Sequence, residues 1–421
     1  MHQSALRLLP GVELLGRVDG SGLREPPHYV RRADGQVVQL SRLFFVIAEQ
    51  ALPGRSLDEI AGRAGAQLEL RIAPEQVRYI LEEKLHPLGI VAAADGSAPK
   101  LDRLDPLLAL KFRVGVVRPG AVRAMAAPLT ALFCAPVIVG VLTSLVAFDV
   151  WLFAVHGIGR GLSHVIARPS LALMLVGLAY LSLAFHECGH AAACRRGGAR
   201  PGAIGVGLYL VWPVLYTDVT DSYRLGRRGR LRTDLGGVYF NCVFALALAV
   251  AYVASGFEPL LLAVVSQHLI VIDQFLPWVR LDGYYVVADL IGVSDLFSRI
   301  RPILRSLLPG RRPDARVSEL KPWARAAVTA WVVTTLAVLL AMAVVVIAHA
   351  PAYLARLWAS LFVQADAIGH AVAAGDVVAA LAGCLGNLFL VLSPLGLALV
   401  YLLLCRRLGA ALAMARGRVT R

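Results

Sequence analysis

Long apolar stretches dominate the chain after residue 127. Six of them are each near or above the ~20 residues that a helix needs to cross a lipid bilayer, namely 127–155, 170–194, 233–255, 260–279, 323–350 and 376–404. The first hundred residues instead mix polar and apolar positions over short distances. The pattern predicts a mainly α, polytopic membrane protein with about six transmembrane helices and a small N-terminal α+β domain.

Turn and capping residues predict the elements of that N-terminal domain. The stretch from Tyr29 to Leu40 is typical of two short strands around an Asp-Gly turn. Ser41 and Ser56 can each cap a helix, and Glu59 completes a capping box with Ser56. Pro74 can open a third helix. We expect a flexible arm at 1–26 and a folded domain at 27–100.

The rest of the chain divides into an intramembrane core at 120–310 and C-terminal helices with a basic tail at 311–421. The distribution of charge predicts how these segments are oriented in the membrane. Basic residues number eight in 195–232, nine in 280–325 and five after residue 405, whereas the intervening loops contain only Arg160, Arg168 and Arg356. The basic side of a membrane protein is usually cytoplasmic, so both termini should be cytoplasmic. The net charge of +14 fits anionic lipid headgroups better than nucleic acid.

The sequence His186-Glu187-Cys188-Gly189-His190 closes an apolar run that carries no charge from Leu171 to Phe185. On a helix, two histidines four residues apart lie on one face and can bind one zinc ion, while Glu187 can act as general base toward a water. Ionisable groups are costly within an apolar span, which favours a functional site. The alternative is a pair of helix-end histidines without metal.

A hydrolytic zinc site needs three protein ligands and an open position for water. Asp282 follows the fourth apolar stretch, at about the same expected depth as the two histidines, and Gly283 would let the backbone turn close to the metal. The alternative for Asp282 is a helix-end carboxylate that meets solvent or Arg280.

The segment Gly205–Asp218 is too short and too interrupted by glycine and proline to cross a membrane. Its β-branched and aromatic residues predict a strand or hairpin at the membrane edge beside the metal. Such an edge could dock an extended substrate, or the segment could be a re-entrant packing element.

Taken in order, the H-E-x-x-H motif, the Gly-x-x-x-Asn element from Gly237 to Asn241 and Leu281-Asp282-Gly283 resemble the core of the site-2 protease family of intramembrane zinc metalloproteases. The resemblance implies that His186, His190 and Asp282 bind zinc and that Glu187 is the base.

Two amides complete the implied site. Asn241 would orient the substrate or support the oxyanion, and Gln274 stands where family members often have asparagine and would keep that amide's hydrogen bond. The stretch from Leu281 to Leu290 further resembles a bacterial peptide-processing branch of the family.

The N-terminal hairpin and three helices resemble a winged-helix module, and in particular the PqqD-like domains of ribosomal peptide biosynthesis. That resemblance implies that the domain adds a leader peptide as an extra strand. The alternative is a small regulatory or stabilising domain.

Together these patterns and resemblances imply a zinc-dependent endopeptidase in the bacterial plasma membrane that removes the leader of a ribosomally made precursor peptide, with biosynthetic enzymes as partners. One alternative is a regulatory intramembrane protease that releases a membrane-tethered factor. Another is a non-proteolytic membrane scaffold or export component that contains zinc.

Overall fold

The computed structural model describes residues 7–51, 55–93, 97, 99, 111–167, 170–209, 211–276, 279–307 and 314–416. The predicted segments lie partly outside these residues: the first six residues of the arm, positions 52–54, 94–96, 98 and 100 of the N-terminal domain, positions 168–169, 210, 277–278 and 308–310 of the core, and positions 311–313 and the last five residues of the C-terminal segment.

The N-terminal domain is a three-stranded antiparallel sheet followed by three helices. Its elements are β1 Glu13–Arg17, β2 His28–Arg31, β3 Val37–Leu40, α1 Arg42–Gln50, α2 Leu57–Leu68 and α3 Pro74–Tyr79, which a π-helical segment Ile80–Leu85 continues. The predicted hairpin is confirmed, with His28 opposite Leu40. The predicted caps are also confirmed: Ser41 accepts from the Phe44 amide, and Ser56 and Glu59 form a capping box.

The prediction of a flexible arm at 1–26 is wrong for its described residues. Strand β1 pairs with β2 in antiparallel register, with Glu13 opposite Arg31, and Leu8 forms a bridge with Val91. Leu23, in the loop between β1 and β2, is buried. A five-residue strand interrupted by a register shift carries too short a pattern to be read from sequence.

The second part of the chain is mainly helical and contains a second antiparallel sheet in the order β4-β5-β6. Its elements are β4 Lys111–Val117, α4 Pro119–Leu129, α5 Ala135–Trp151, α6 Gly159–Ala167, α7 Ser170–Arg196, β5 Ile204–Tyr209, β6 Trp212–Thr217, α8 Arg227–Asp234, α9 Gly236–Ser255, α10 Pro259–Gln274, α11 Asp282–Ile291, α12 Ile300–Ser306, α13 Ala315–Ser318, α14 Pro322–Ala373 and α15 Val377–Arg416. The hairpin predicted at 205–218 is β5 and β6. The core begins earlier than the predicted residue 120, because β4 pairs with β5.

Within the part of the chain that the structure describes, five helices are long and apolar enough to cross a membrane: Ala135–His156, Leu171–Arg196, Gly236–Ser255, Pro322–Ala373 and Val377–Gly396. The fourth predicted span, 260–279, corresponds to α10, which has 16 residues and is shorter than the ~20 needed for a full crossing. The loop predicted after residue 350 is helical, because α14 continues through Pro351 to Ala373. The count of six crossings therefore stays a prediction.

Helices α7 and α9 cross in close contact at two glycines. A β-carbon at Gly189 would overlap the carbonyl oxygen of Gly236, and one at Gly236 would lie 2.7 Å from the carbonyl oxygen of Gly189. Backbones can approach this closely only where side chains are absent, as at other small-residue helix interfaces in membranes. The crossing brings α9 against the histidine-bearing end of α7.

Four charged side chains join the N-terminal domain to the loop after β6. Arg31 donates to Asp221 at 3.0 Å and to Glu13, while Arg224 donates to Asp221 at 2.7 Å and also to Glu13. Tyr29 of β2 meets Tyr223 edge to face at 5.4 Å. The domain is therefore docked on the core through its sheet.

Asp221 is the centre of this contact, and its charge state depends on pH. Burial alone would raise the pKa of the Asp221 carboxyl, but the Arg200 amide and the Arg224 and Arg31 guanidinium groups outweigh burial and hold it below the ordinary value. A depressed pKa means that the stabilisation is complete above about pH 4 and is lost as pH falls through the docked value.

We predict that Asp221→Asn weakens docking roughly tenfold at pH 7, the size expected for losing charged hydrogen bonds at a half-buried site. Hydrogen exchange of the β2 amides should be faster in the variant above about pH 4, and the difference should disappear at lower pH. Asp19→Asn is the matched control, since Asp19 pairs with Arg17 in solvent. Equal exchange of native and Asp221→Asn chains at pH 7 would contradict this account.

Candidate metal centre

Helix α7 carries both predicted histidine ligands on one face near its C-terminal end. His186 and His190 lie one turn apart and are buried. Their Nε2 atoms are 3.1 Å apart, and their rings are inclined by 80°. The two imidazoles therefore point at a common position rather than stacking on each other.

Asp282 reaches the same position from the first residue of α11. Leu281 is extended, so the helix begins at Asp282 itself. The carboxylate Oδ2 lies 3.1 Å from His186 Nε2 and 3.2 Å from His190 Nε2. The sequence placed Asp282 near the end of the fourth span, whereas the structure ends α10 at Gln274 and starts a separate helix at the ligand.

The outer nitrogens of both rings face hydrogen-bond acceptors. His190 Nδ1 lies 2.8 Å from the carbonyl oxygen of Thr233, which can only accept, and His186 Nδ1 lies 2.5 Å from Asn241 Oδ1. Each Nδ1 therefore carries a proton, so that in the neutral form of either ring the Nε2 lone pair points inward. Outer partners of this kind fix the tautomer of metal-binding histidines.

Three lone-pair atoms thus converge where no described residue donates a hydrogen bond to Asp282 Oδ2, which is buried. A proton could join only one pair of the three atoms, whereas a cation can bind all of them. In a tetrahedral site with bonds of roughly 2.0–2.1 Å, ligand atoms lie about 3.3–3.4 Å apart. The observed separations of 3.1, 3.1 and 3.2 Å fit such an ion closely. Among the described residues, His186, His190 and Asp282 form the group that could hold a metal.

Gly237 leaves the space that the two imidazoles occupy. A β-carbon there would lie 2.5 Å from His190 Nε2 and would overlap His186 Nε2. Gly283 has a similar role on the other side, because a β-carbon would lie 2.7 Å from the Gln274 carbonyl oxygen. The backbone of α9 therefore passes close to the two imidazoles, and α11 packs directly on the end of α10.

Thr217, the last residue of β6, holds the predicted base. Its hydroxyl lies 2.7 Å from Glu187 Oε2 and 2.9 Å from the Glu187 carbonyl oxygen, and Glu187 is buried. Donation to Oε2 fixes the rotamer of the carboxylate and leaves Oε1 available to a water. Sequence reasoning missed Thr217, although it lies inside the predicted hairpin segment.

Asn241 contacts His186 directly, and a polar network inside the helix bundle holds Asn241 in place. Its Nδ2 lies 3.0 Å from Ser182 Oγ and 3.1 Å from Gln267 Oε1, and Ser182 also donates to Gln267. Both amide protons are used in this arrangement, in which Asn241 contacts His186, and its role toward the substrate or the oxyanion stays a prediction. Ser182 and Gln267 were missed, since an isolated polar residue in an apolar helix gives no spacing signal.

Gln274, the other predicted support residue, ends α10 and contributes its backbone carbonyl to the contact with Gly283. Its side chain is half-buried and makes no hydrogen bond to a described residue. Gln274 therefore lies beside α11, and its predicted role in supporting the substrate or the oxyanion stays a prediction.

Two further carboxyls lie near His190: Asp234 at the end of α8, and Asp289 in α11. Burial and the neighbouring Asp289 raise the pKa of Asp234 to about 8. Arg230 donates to both oxygens of Asp289 at 3.0 Å. This cluster ties α8, whose Thr233 carbonyl supports His190, to the ligand helix α11.

Comparison of the chain with protein-family models gave no match, and searches of curated proteins and of solved structures gave none either.

We predict that the native chain binds one zinc ion and that His186→Ala and Asp282→Asn each abolish stoichiometric binding, since a hydrolytic zinc site needs three protein ligands and two are too few. Gly237→Ala should also weaken binding, because its methyl group would displace both imidazoles. Metal content measured by mass spectrometry after dialysis tests this. Gly177→Ala on the same helix as the histidines is the control, because a β-carbon there meets no atom within 4 Å. Full metal content in Asp282→Asn would contradict the assignment.

Proposed function

We propose that the chain is an intramembrane zinc metalloprotease that hydrolyses a peptide bond near one face of a membrane. The observation that carries the proposal is the convergence of His186, His190 and Asp282 on one position, with the buried carboxylate of Glu187 on the same helix. A structural zinc site would have no use for a base held in place by Thr217.

The membrane setting is part of the proposal. We infer a multi-pass protein of the bacterial plasma membrane, with both termini and the arginine-rich loops on the cytoplasmic side. By helical rise, His190 and His186 lie roughly 9 and 15 Å from Arg196, the basic end of α7. Cleavage would therefore take place close to the cytoplasmic face.

The reaction balances as the addition of one water across one amide bond. When bound, zinc polarises the scissile carbonyl and lowers the pKa of water. Glu187 accepts the proton from water as the new C–O bond forms, and it gives that proton to the amide nitrogen as the C–N bond breaks. Thr217 keeps the carboxylate aligned for both transfers, while Asn241 and the Thr233 carbonyl keep the imidazoles oriented.

The substrate we propose is a ribosomally made precursor peptide that loses its leader. The docked N-terminal domain supports this, because its sheet lies on the loop that follows β6, four residues from Thr217 at Asp221. A domain that holds a leader at this place would deliver the adjoining peptide to the metal centre. Modifying enzymes that act on the same precursor are the partners that this role implies.

We predict that Glu187→Gln lowers the rate of cleavage by at least about 10²-fold while one zinc remains bound, because a general base is lost and no ligand changes. The assay is mass spectrometry of a short precursor peptide, chosen from the open reading frames that neighbour this gene, with a single-pass membrane protein as the competing substrate. Cleavage of only the membrane protein would favour a regulatory protease. A native chain that binds zinc but cleaves neither substrate would favour the non-proteolytic scaffold or export component.

A separate prediction concerns Thr217. Thr217→Val keeps the shape but removes the hydroxyl, so kcat should fall roughly tenfold, the size expected for a lost hydrogen bond to a charged group, with KM and zinc content unchanged. Thr217→Ser should restore most of the rate. A valine variant that is as fast as the native enzyme would remove Thr217 from the site.

A further inference from the structure

The loop between β1 and β2 leaves the N-terminal domain and inserts into the core. Leu23 is 5% exposed and packs with Tyr284, Ile291 and Leu320. Backbone hydrogen bonds fix the loop on both sides: Arg24 donates to Glu319, and Lys321 donates to Gly22. The Lys321 ammonium group also donates to the Ser21 carbonyl oxygen at 3.0 Å.

The inserted loop meets the C-terminal end of α11. The Gly22 amide donates to the carbonyl oxygen of Gly292, the residue that ends the helix in the left-handed conformation. A β-carbon at Gly22 would lie 2.5 Å from the Ile291 carbonyl oxygen and 2.7 Å from Ala324 Cβ. There is therefore no free space between the loop and the helix end.

Helix α11 has ten residues, and its first residue is the ligand Asp282. A helix of that length is only marginally stable by itself, so its position depends on tertiary contacts. At the front, Gly283 packs on the end of α10. At the back, the loop of the N-terminal domain packs on Ile291 and Gly292. A shift of the back end would move the whole short helix and the carboxylate with it.

We propose that the loop Ser21–Arg24 positions the ligand Asp282, so that the docked N-terminal domain is a working part of the metal centre as well as a holder of peptide. The inference rests on the proposed metal site. Gly22 and Leu23 are positioning residues, because they act through α11 and touch neither metal nor substrate. The position of Asp282 would thereby depend on whether the N-terminal domain is docked.

The test compares zinc affinities of full-length chains in detergent by competition with a chromophoric chelator. Gly22→Ala should weaken zinc binding by about 10–100-fold, as do changes to other groups that orient metal ligands. Gly62→Ala in α2 is the matched control and should bind as the native chain does, because a β-carbon there meets no atom within 4 Å. A role confined to stabilising the N-terminal domain would leave zinc affinity unchanged.

A second pair of variants tests the same inference without introducing a clash. Leu23→Ala removes the buried side chain and should weaken zinc binding, while Leu23→Met fills the space and should restore it. The Leu23 pair decides the outcome if Gly22→Ala does not fold, as judged by its elution and melting profile without metal. Native affinity in folded Gly22→Ala and Leu23→Ala chains would overturn the inference.

Failure of this inference can be told apart from failure of the proposed function. A native chain that binds zinc and cleaves no peptide contradicts the protease but leaves the affinity comparison intact. A native chain that cleaves peptide, with variants of unchanged zinc affinity, contradicts only the positioning role. A native chain that binds no zinc overturns both.

Discussion

Mutual repulsion between three inward-pointing lone pairs is the constraint on which the site depends. His186 and His190 cannot relieve it by rotating, because Asn241 and the Thr233 carbonyl hold their outer nitrogens. Asp282 cannot relieve it either, since its helix is packed at both ends. A buried arrangement of this kind is costly without a positive charge at its centre. Each outer contact therefore contributes to holding the three atoms in an arrangement that could bind a cation.

Close approach of backbone makes that arrangement possible. Gly237 faces the imidazoles, and the contact between Gly189 and Gly236 brings α9 near enough for Asn241 to reach His186. Any side chain at these positions would separate α7 from α9. Small residues on two helices thus determine the distance between a ligand and the group that orients it.

The sequence predicted which three side chains come together because each of them belongs to a local pattern. Two histidines four residues apart define one helix face, and Asp282 stands beside a glycine at the expected depth. The residues that sequence reasoning missed lack such patterns. Thr217 lies 30 residues from Glu187 along the chain, and Gln267 lies 85 residues from Ser182, so only the tertiary fold brings them together. The same holds for β1 and β4, whose short strands are recognisable only through their partners.

The most direct test of the central claim is zinc X-ray absorption spectroscopy on the purified native chain. The account predicts stoichiometric zinc with four nitrogen or oxygen neighbours at about 2.0–2.1 Å, two of them imidazole. Absence of zinc from the folded chain would contradict it. So would a sulfur neighbour at about 2.3 Å, because that would move the metal from Asp282 to a cysteine.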